Sequence, residues 1–265
     1  MTKASSATSP EAKSHQPAAA AQAMVQATGS DKAAQVQQMF QSIAPRYDLL
    51  NRVLSLGVDR RWRAQATRYA FAPFAAGQAL RVLDVATGTA DLALSLKASR
   101  PNAEVIGVDF AEAMLERGRH KALVRGLDVR LEAGDGLNLP YADASFDVLT
   151  IAYGLRNFAD YQAGLQEFYR LLKPGGRLVV LEFPPPPQGV LGKLFRYYFV
   201  RILPRLGGIL SGKPSAYSYL PQSVLQFPEP QQLAAMLNRA GFAHVSYRLQ
   251  SFGISAMHVA DKASS

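Results

Sequence analysis

The run Asp84-Val85-Ala86-Thr87-Gly88-Thr89-Ala90-Asp91 follows an apolar stretch and leads into a helix-forming one that starts at Leu92. A small-residue turn at that point lets a ligand lie close to the backbone at the carboxyl edge of a sheet. About 20 residues further on, the next apolar run ends in Asp109, where a carboxylate can accept both hydroxyls of a ribose. Spacing alone leaves the nucleotide open: Gly88, Ala90 and Ala93 also occupy the positions of a degenerate dinucleotide fingerprint, so a nicotinamide oxidoreductase is the alternative. Three features tilt the balance. Asp84 stands just before the turn, where it can order the loop or approach a cationic amino-acid moiety. Asp135 and the Gly136 amide, in Glu132-Ala133-Gly134-Asp135-Gly136, can read the exocyclic amine and ring nitrogen of an adenine. Leu172-Lys173-Pro174-Gly175-Gly176-Arg177-Leu178 packs a helix end, a turn and a strand start into one short run.

Other chemistries are excluded by composition. The 265 residues include no Cys, so thiolate nucleophiles, disulfides, iron–sulfur clusters and Cys-ligated zinc are impossible, and the four His show no paired ligand spacing. No metal is expected. The net charge of +9 is concentrated in two segments. Six Arg (46, 52, 60, 61, 63 and 68) face only Asp48 and Asp59 in the first, while Lys193, Arg196, Arg201, Arg205 and Lys213 have no acid for company between Pro184 and Pro228. The second segment also carries Leu191, Leu194, Phe195, Tyr197, Tyr198, Phe199 and Ile202, a mixture that suits a membrane interface better than a nucleic-acid groove. A peripheral membrane contact is therefore expected, and no nucleic-acid partner. The N-terminus lacks the pattern of a secretory signal, which makes the expected address cytoplasmic, touching the membrane from its inner face.

Strand-like and helix-like runs alternate in the order needed to position these residues. Arg81–Ala86, Glu104–Asp109, Val129–Ala133, Phe146–Ala152 and Arg177–Glu182 read as strands, and Asp91–Ser99, Ala111–Val124 and Tyr161–Leu172 as the helices between them. This order predicts a parallel sheet covered by helices on both faces. Gln231–Ala240 reads as a further helix, with His244–Gln250 and Ala256–Ala260 closing the sheet as a strand pair. Upstream, Val36, Met39, Phe40 and Ile43 have helical spacing before Pro45, and one helical stretch is expected from Asp48 through Trp62 to Phe71. Residues 1–34, rich in Ala, Ser, Gln and Thr, read as a disordered tail. The single domain is then 35–265, with a helical cover over 35–75 and a lid over 184–228.

From about Arg81 to Glu182 this order of motifs resembles the S-adenosylmethionine-dependent methyltransferases, which implies a doubly wound, mostly parallel seven-stranded α/β sheet of Rossmann-like type. The flanks narrow the resemblance. Phe40-Gln41-Ser42-Ile43-Ala44-Pro45-Arg46-Tyr47-Asp48-Leu49-Leu50-Asn51 with Ser55 and Trp62, then Gly154-Leu155-Arg156-Asn157-Phe158, then Arg170–Arg177 with Leu181-Glu182-Phe183, resemble the ubiquinone/menaquinone biosynthesis C-methyltransferases from about Gln35 to Ala260. The resemblance implies methyl transfer from S-adenosylmethionine to a ring carbon of a demethylated prenyl quinol, most simply demethylmenaquinol, with a benzoquinol as the alternative acceptor and a homodimer possible. It assigns Thr89, Asp109, Asp135 and Gly136 to the cofactor, and the turn itself adds Asp84 and Gly88 as expected cofactor contacts. Three positions depart from the family pattern: Asp59 stands where many members have His, Ala90 replaces the last Gly of Gly-Thr-Gly, and Ala152 stands where some members offer a Ser.

Carbon is a poor nucleophile unless electrons are pushed into the ring, and the absence of Cys closes the covalent-adduct route. Ionising a quinol hydroxyl, with a pKa near tyrosine's ~10, makes the neighbouring carbon enolate-like. Stabilising that oxyanion calls for a fixed cation or donors. Arg156 and Asn157 are the first choice, Tyr153 and Tyr47 are expected to hydrogen-bond the second ring oxygen, and Asp48 to take the proton.

Overall fold

The computed structural model describes residues 21–25, 29–55, 57–202, 205 and 214–264. Seven strands form one sheet in the order β3-β2-β1-β4-β5-β7-β6: β1 (Arg81–Val85), β2 (Glu104–Asp109), β3 (Arg130–Ala133), β4 (Phe146–Ala152), β5 (Leu172–Glu182), β6 (Ala243–Gln250) and β7 (Ser255–Asp261). The first five pair in parallel, and β7 runs antiparallel between β5 and β6. Neighbouring residues of the central strands point to opposite faces and both faces are largely apolar, which is why those strands are rich in Val, Leu and Ile on both sides, with the buried Asp84 and Thr150 as polar exceptions. Val82, Val105, Val148 and Val179 join one core with Trp62, Leu92 and Leu96. Leu83, Ile106, Leu149 and Val180 join the other with Leu165, Phe168 and Leu233.

The helices that supply those faces are α3 (Asp59–Phe71), α4 (Asp91–Ser99), α5 (Glu112–Arg125), α6 (Tyr161–Leu171) and α9 (Pro230–Arg239). Local chemistry sets their ends. Asp160 caps α6 by accepting from the Ala163 amide at 3.0 Å, and Gly126 stops α5 in the left-handed region at φ 61°. Two boundaries differ from the sequence reading. The stretch from Asp48 to Phe71 is two helices, α2 (Tyr47–Leu54) and α3, because the chain turns between them through Gly57 at φ 76°. The expected turn at Lys173–Gly176 lies inside β5, as a bulge: Leu172 pairs with Phe146 and Arg177 with Val148, so the four residues between them leave the ladder opposite Asp147.

Of the expected tail, 1–20 and 26–28 lie outside the described residues; 21–25 are helical, and α1 (Gly29–Ile43) starts a little before Lys32. Of the expected lid, α7 (Val190–Tyr197), a π-helical turn (Tyr198–Ile202) and α8 (Pro214–Gln226) are described. Val36, Met39 and Ile43 of α1 pack with Phe199, Tyr219 and Val224, so cover and lid share a third apolar cluster above the carboxyl ends of the strands.

Candidate active site

The turn after β1 is shaped by three left-handed residues, Ala86, Gly88 and Ala90. Asp84 sits beneath it, 1% exposed, accepting from the Thr87 and Thr150 hydroxyls at 2.6 Å each. Burial pushes its carboxyl up to about 6. Of the two roles considered for Asp84, the bonds it makes are those of a loop brace. Asp109 at the tip of β2 reaches the same turn: it accepts from the Gly88 amide at 2.8 Å and the Ala111 amide at 2.9 Å, one on each oxygen. Burial raises its carboxyl to about 6 as well. Each oxygen keeps a lone pair beyond the amide it accepts from.

A cleft of about 320 Å³ opens over these tips. Gly88, Asp109, Asp135, Gly136 and Asn157 line it, and Ala152 brings no hydroxyl where a Ser is an option. Asp135 accepts from the Leu137 amide at 3.0 Å, which fixes the loop after β3. Gly136 has no room for a side chain, since a Cβ would come within 2.4 Å of the Phe158 ring. The roof is α1, whose Ala33, Ala34, Gln37 and Phe40 complete the lining. Two of its side chains tie it down across the opening: Lys32 Nζ donates to the Phe158 carbonyl at 2.8 Å and Gln37 Nε2 to the Phe110 carbonyl at 2.5 Å.

Beside this cleft lies a smaller polar recess lined by Arg63, Asp84, Thr87, Thr89 and Asp91. Thr89 lines it, but its hydroxyl is engaged, donating to Asp48 Oδ1 and accepting from Lys121 Nζ at 2.9 Å. Lys121 also reaches Asp91 at 2.6 Å and Asp48 at 3.3 Å. Asp48 is in the lining of neither the cleft nor the recess; its carboxylate faces Thr89, Lys121 and, at 3.9 Å, Arg117, and so fastens α2 to the sheet domain. Arg63 is clamped between Asp59 and Asp91, the latter at 3.2 Å. Burial pushes Asp91 up, but Lys121 and Arg63 together bring it below the usual carboxylate range.

A third cavity, of about 110 Å³, presents a mostly apolar surface. Cover and lid form it with Ile43, Trp62, Phe183, Phe195 and Phe199. Its polar exceptions are Tyr47, Tyr153, Tyr198, Tyr219, Asn51, Ser55, Asp59, Arg63 and Arg156. Arg156 is 6% exposed, and its Nη1 donates to Glu182 Oε1 at 2.8 Å and to the Tyr153 carbonyl at 2.5 Å. Its Nε is buried with no hydrogen-bond partner among the described residues, so the guanidinium keeps donor capacity for a ligand. Tyr153, at φ 59°, stacks on Phe183 with ring centroids 4.5 Å apart. Burial raises the hydroxyls of Tyr47 and Tyr153 above the usual phenol range, so both stay protonated donors. Asn157 turns the other way, into the cleft, with its Oδ1 accepting from the Tyr219 hydroxyl at 3.1 Å. Phe40, Tyr47 and Tyr153 line both the cleft and the apolar pocket, so the two cavities meet at those rings.

The structure thus adds Glu182, Arg63 and Lys121 to the residues expected from sequence. Only Glu182 left a signal: an acid ending the apolar strand Leu178-Val179-Val180-Leu181 implies a buried partner.

A model of the ubiE/COQ5 methyltransferase family matches residues 27–262. The chain is 57% identical over 232 residues to the demethylmenaquinone methyltransferase of Deinococcus radiodurans, covering 88% of this chain and 94% of that one. It is 57% identical over 226 residues to the demethylmenaquinone methyltransferase of Thermus thermophilus, covering 84% of this chain and all of that one. Among solved structures, an S-adenosylmethionine-dependent methyltransferase of Thermotoga maritima, described as a possible histamine N-methyltransferase, superposes with a TM-score of 0.59 at 19% identity, covering 85% of this chain and 98% of that one.

Proposed function

This chain belongs to the ubiE/COQ5 methyltransferase family, and from that premise we propose that it transfers a methyl group from S-adenosylmethionine to a ring carbon of demethylmenaquinol, giving menaquinol. The observation that carries the reading is the meeting of the two cavities: a polar cleft at the strand tips joins, at Tyr47 and Tyr153, an apolar pocket with a buried guanidinium in its wall. A nucleoside fits the cleft chemically. Asp109 offers lone pairs to a ribose diol, Asp135 and the Gly136 amide suit an adenine edge, and the recess with Arg63 suits an amino-acid carboxylate.

When bound, the cofactor supplies a sulfonium-activated methyl placed for in-line displacement by carbon. The chain's own residues prepare the acceptor. Arg156, buried in the wall of a mostly apolar pocket, stabilises the ring oxyanion as a fixed cation. Tyr47 and Tyr153, held protonated, donate to the second oxygen. Asp59, the one carboxylate in the lining of that pocket, takes the quinol hydroxyl proton in place of Asp48; after methylation the hydrogen on the alkylated ring carbon is lost as a proton and the ring regains its aromaticity.

A prenyl tail has to leave the apolar pocket toward lipid, and α7 supports a peripheral membrane contact there. Val190, Leu194 and Tyr197 are exposed beside Lys193 and Arg196, while Phe195 and Phe199 of the same segment line the pocket. No helix among the described residues is long and apolar enough to cross a membrane. The test is direct. Purified protein incubated with labelled S-adenosylmethionine and reduced demethylmenaquinone is expected to yield a labelled, methylated lipid; label in a demethylated benzoquinol but none in the naphthoquinol would overturn the acceptor assignment.

A further inference from the structure

Trp62 is a wall shared by two cavities. On its other side from the apolar pocket lies a cleft of about 640 Å³ lined by Arg61, Arg68 and Arg248, with no acidic residue in its lining. All three arginines are exposed, and Arg68 and Arg248 both lie over the Tyr69 ring, at 5.5 and 5.6 Å. The rim of the cleft is the turn between β6 and β7. There Ser251 (φ 48°) and Phe252 (φ 59°) both adopt the left-handed conformation that side-chain-bearing residues reach only under strain. Two contacts hold the turn in place: Trp62 Nε1 donates to Ser251 Oγ at 3.0 Å, and Gly253 is seated against Pro187, where a Cβ would lie 3.3 Å from the proline ring. The outcome is a Phe252 ring that is 87% exposed, with Leu249 at 55% nearby. Pro187 stands three residues before Val190, which is 85% exposed at the start of α7.

We propose that this cleft and turn form a second lipid-docking site, separate from α7, in which Phe252 enters the bilayer interface and Arg61, Arg68 and Arg248 bind the phosphates of anionic phospholipids. The inference rests on the lipid-acceptor reading above and deepens it. Three guanidinium groups without a neighbouring acid are complementary to phosphate oxygens. An aromatic side chain held out into solvent among those cations has the composition of an interfacial anchor, and a soluble anion would make no use of it.

Flotation of the full chain with vesicles of phosphatidylglycerol and phosphatidylcholine, against phosphatidylcholine alone, tests this. The parent is expected to float on the anionic vesicles. Phe252→Ser and the triple variant Arg61→Gln/Arg68→Gln/Arg248→Gln are each expected to lose at least about tenfold in partitioning, with S-adenosylhomocysteine affinity within about twofold of the parent as proof of folding. Should the triple variant not fold, Arg248→Gln alone is expected to lose about fivefold. Unchanged flotation of these variants overturns the proposal. So does a parent that ignores anionic vesicles, or one that binds inorganic phosphate at the three arginines without floating. A failed acceptor reading would show separately, as absence of label in demethylmenaquinone whatever the vesicles do.

Discussion

Arg156 is fixed by Glu182 and the Tyr153 carbonyl and borders an apolar pocket, so its structural and chemical roles can be pulled apart. Arg156→Ala is expected to cost about 3–5 kcal/mol of stability, because Glu182 is left buried and unpaired. The same variant is expected to lower kcat about 10²–10³-fold through loss of oxyanion stabilisation. Adding Glu182→Gln to Arg156→Met removes the stranded charge: denaturant melts should recover most of the stability while turnover stays low. Recovery of both would make Arg156 a packing residue. Asp109 and Asp84 carry a pH signature. Both carboxyls stand near 6 in the fold against 3.8 for a free side chain, so each contributes stability that is complete below 3.8 and is lost as pH rises through about 6. Denaturant midpoints of Asp84→Asn are therefore expected to gain less than the parent's on acidification from neutrality toward about 4. Cofactor affinity runs the opposite way. A ribose diol donates to the charged carboxylate, so the Kd for S-adenosylhomocysteine, read by calorimetry, is expected to weaken as pH falls through about 6 and to be flat in Asp109→Asn.

At the scale of elements, α1 and α2 are held over the sheet by the apolar cluster they share with Ala111, Met114 and Phe199 and by a few polar ties. Asp48 links α2 to Lys121 of α5 and to Thr89 of the turn after β1, while Lys32 and Gln37 link α1 to the rim of the cleft. Asp48→Asn is expected to raise amide exchange over 29–54 and to slow turnover less than about tenfold, whereas Asp59→Asn slows it about 10²-fold or more, the size expected of a proton acceptor. Equal losses in the two would return Asp48 to the chemistry. This contrast also shows what the chain alone discloses. The strands were legible because Leu178–Leu181 is apolar on both faces and Val82–Val85 is so but for Asp84, and Asp109 because it ends a similar run. The partners of Asp48 were not legible, because Lys121 and Thr89 are distant in sequence and meet only when α5 packs against β2 and β3. Periodicity reports which face a residue takes within its own element and says nothing of the element opposite.

At the scale of the whole molecule, basic residues and exposed apolar side chains occur together on α7 and on the β6–β7 turn, and that joint placement makes a salt-dependence argument. Flotation on anionic vesicles is expected to fall with ionic strength, as screening over about 10 Å weakens headgroup attraction, and to keep a salt-resistant remainder from Phe252, Val190 and Leu194. Charge blocks were visible in the sequence, but the placement of Arg61, Arg68 and Arg248 in one cleft depends on α3 lying beside β6 and could not be read from two segments so far apart. Phe40 and Tyr47 have a last consequence. Because they line both chambers, an outward movement of the cover that carries them would widen the two together, for spent nucleoside and finished lipid alike. Where that movement is slower than carbon–methyl bond making, rapid-quench sampling is expected to show a first turnover that outruns all later ones.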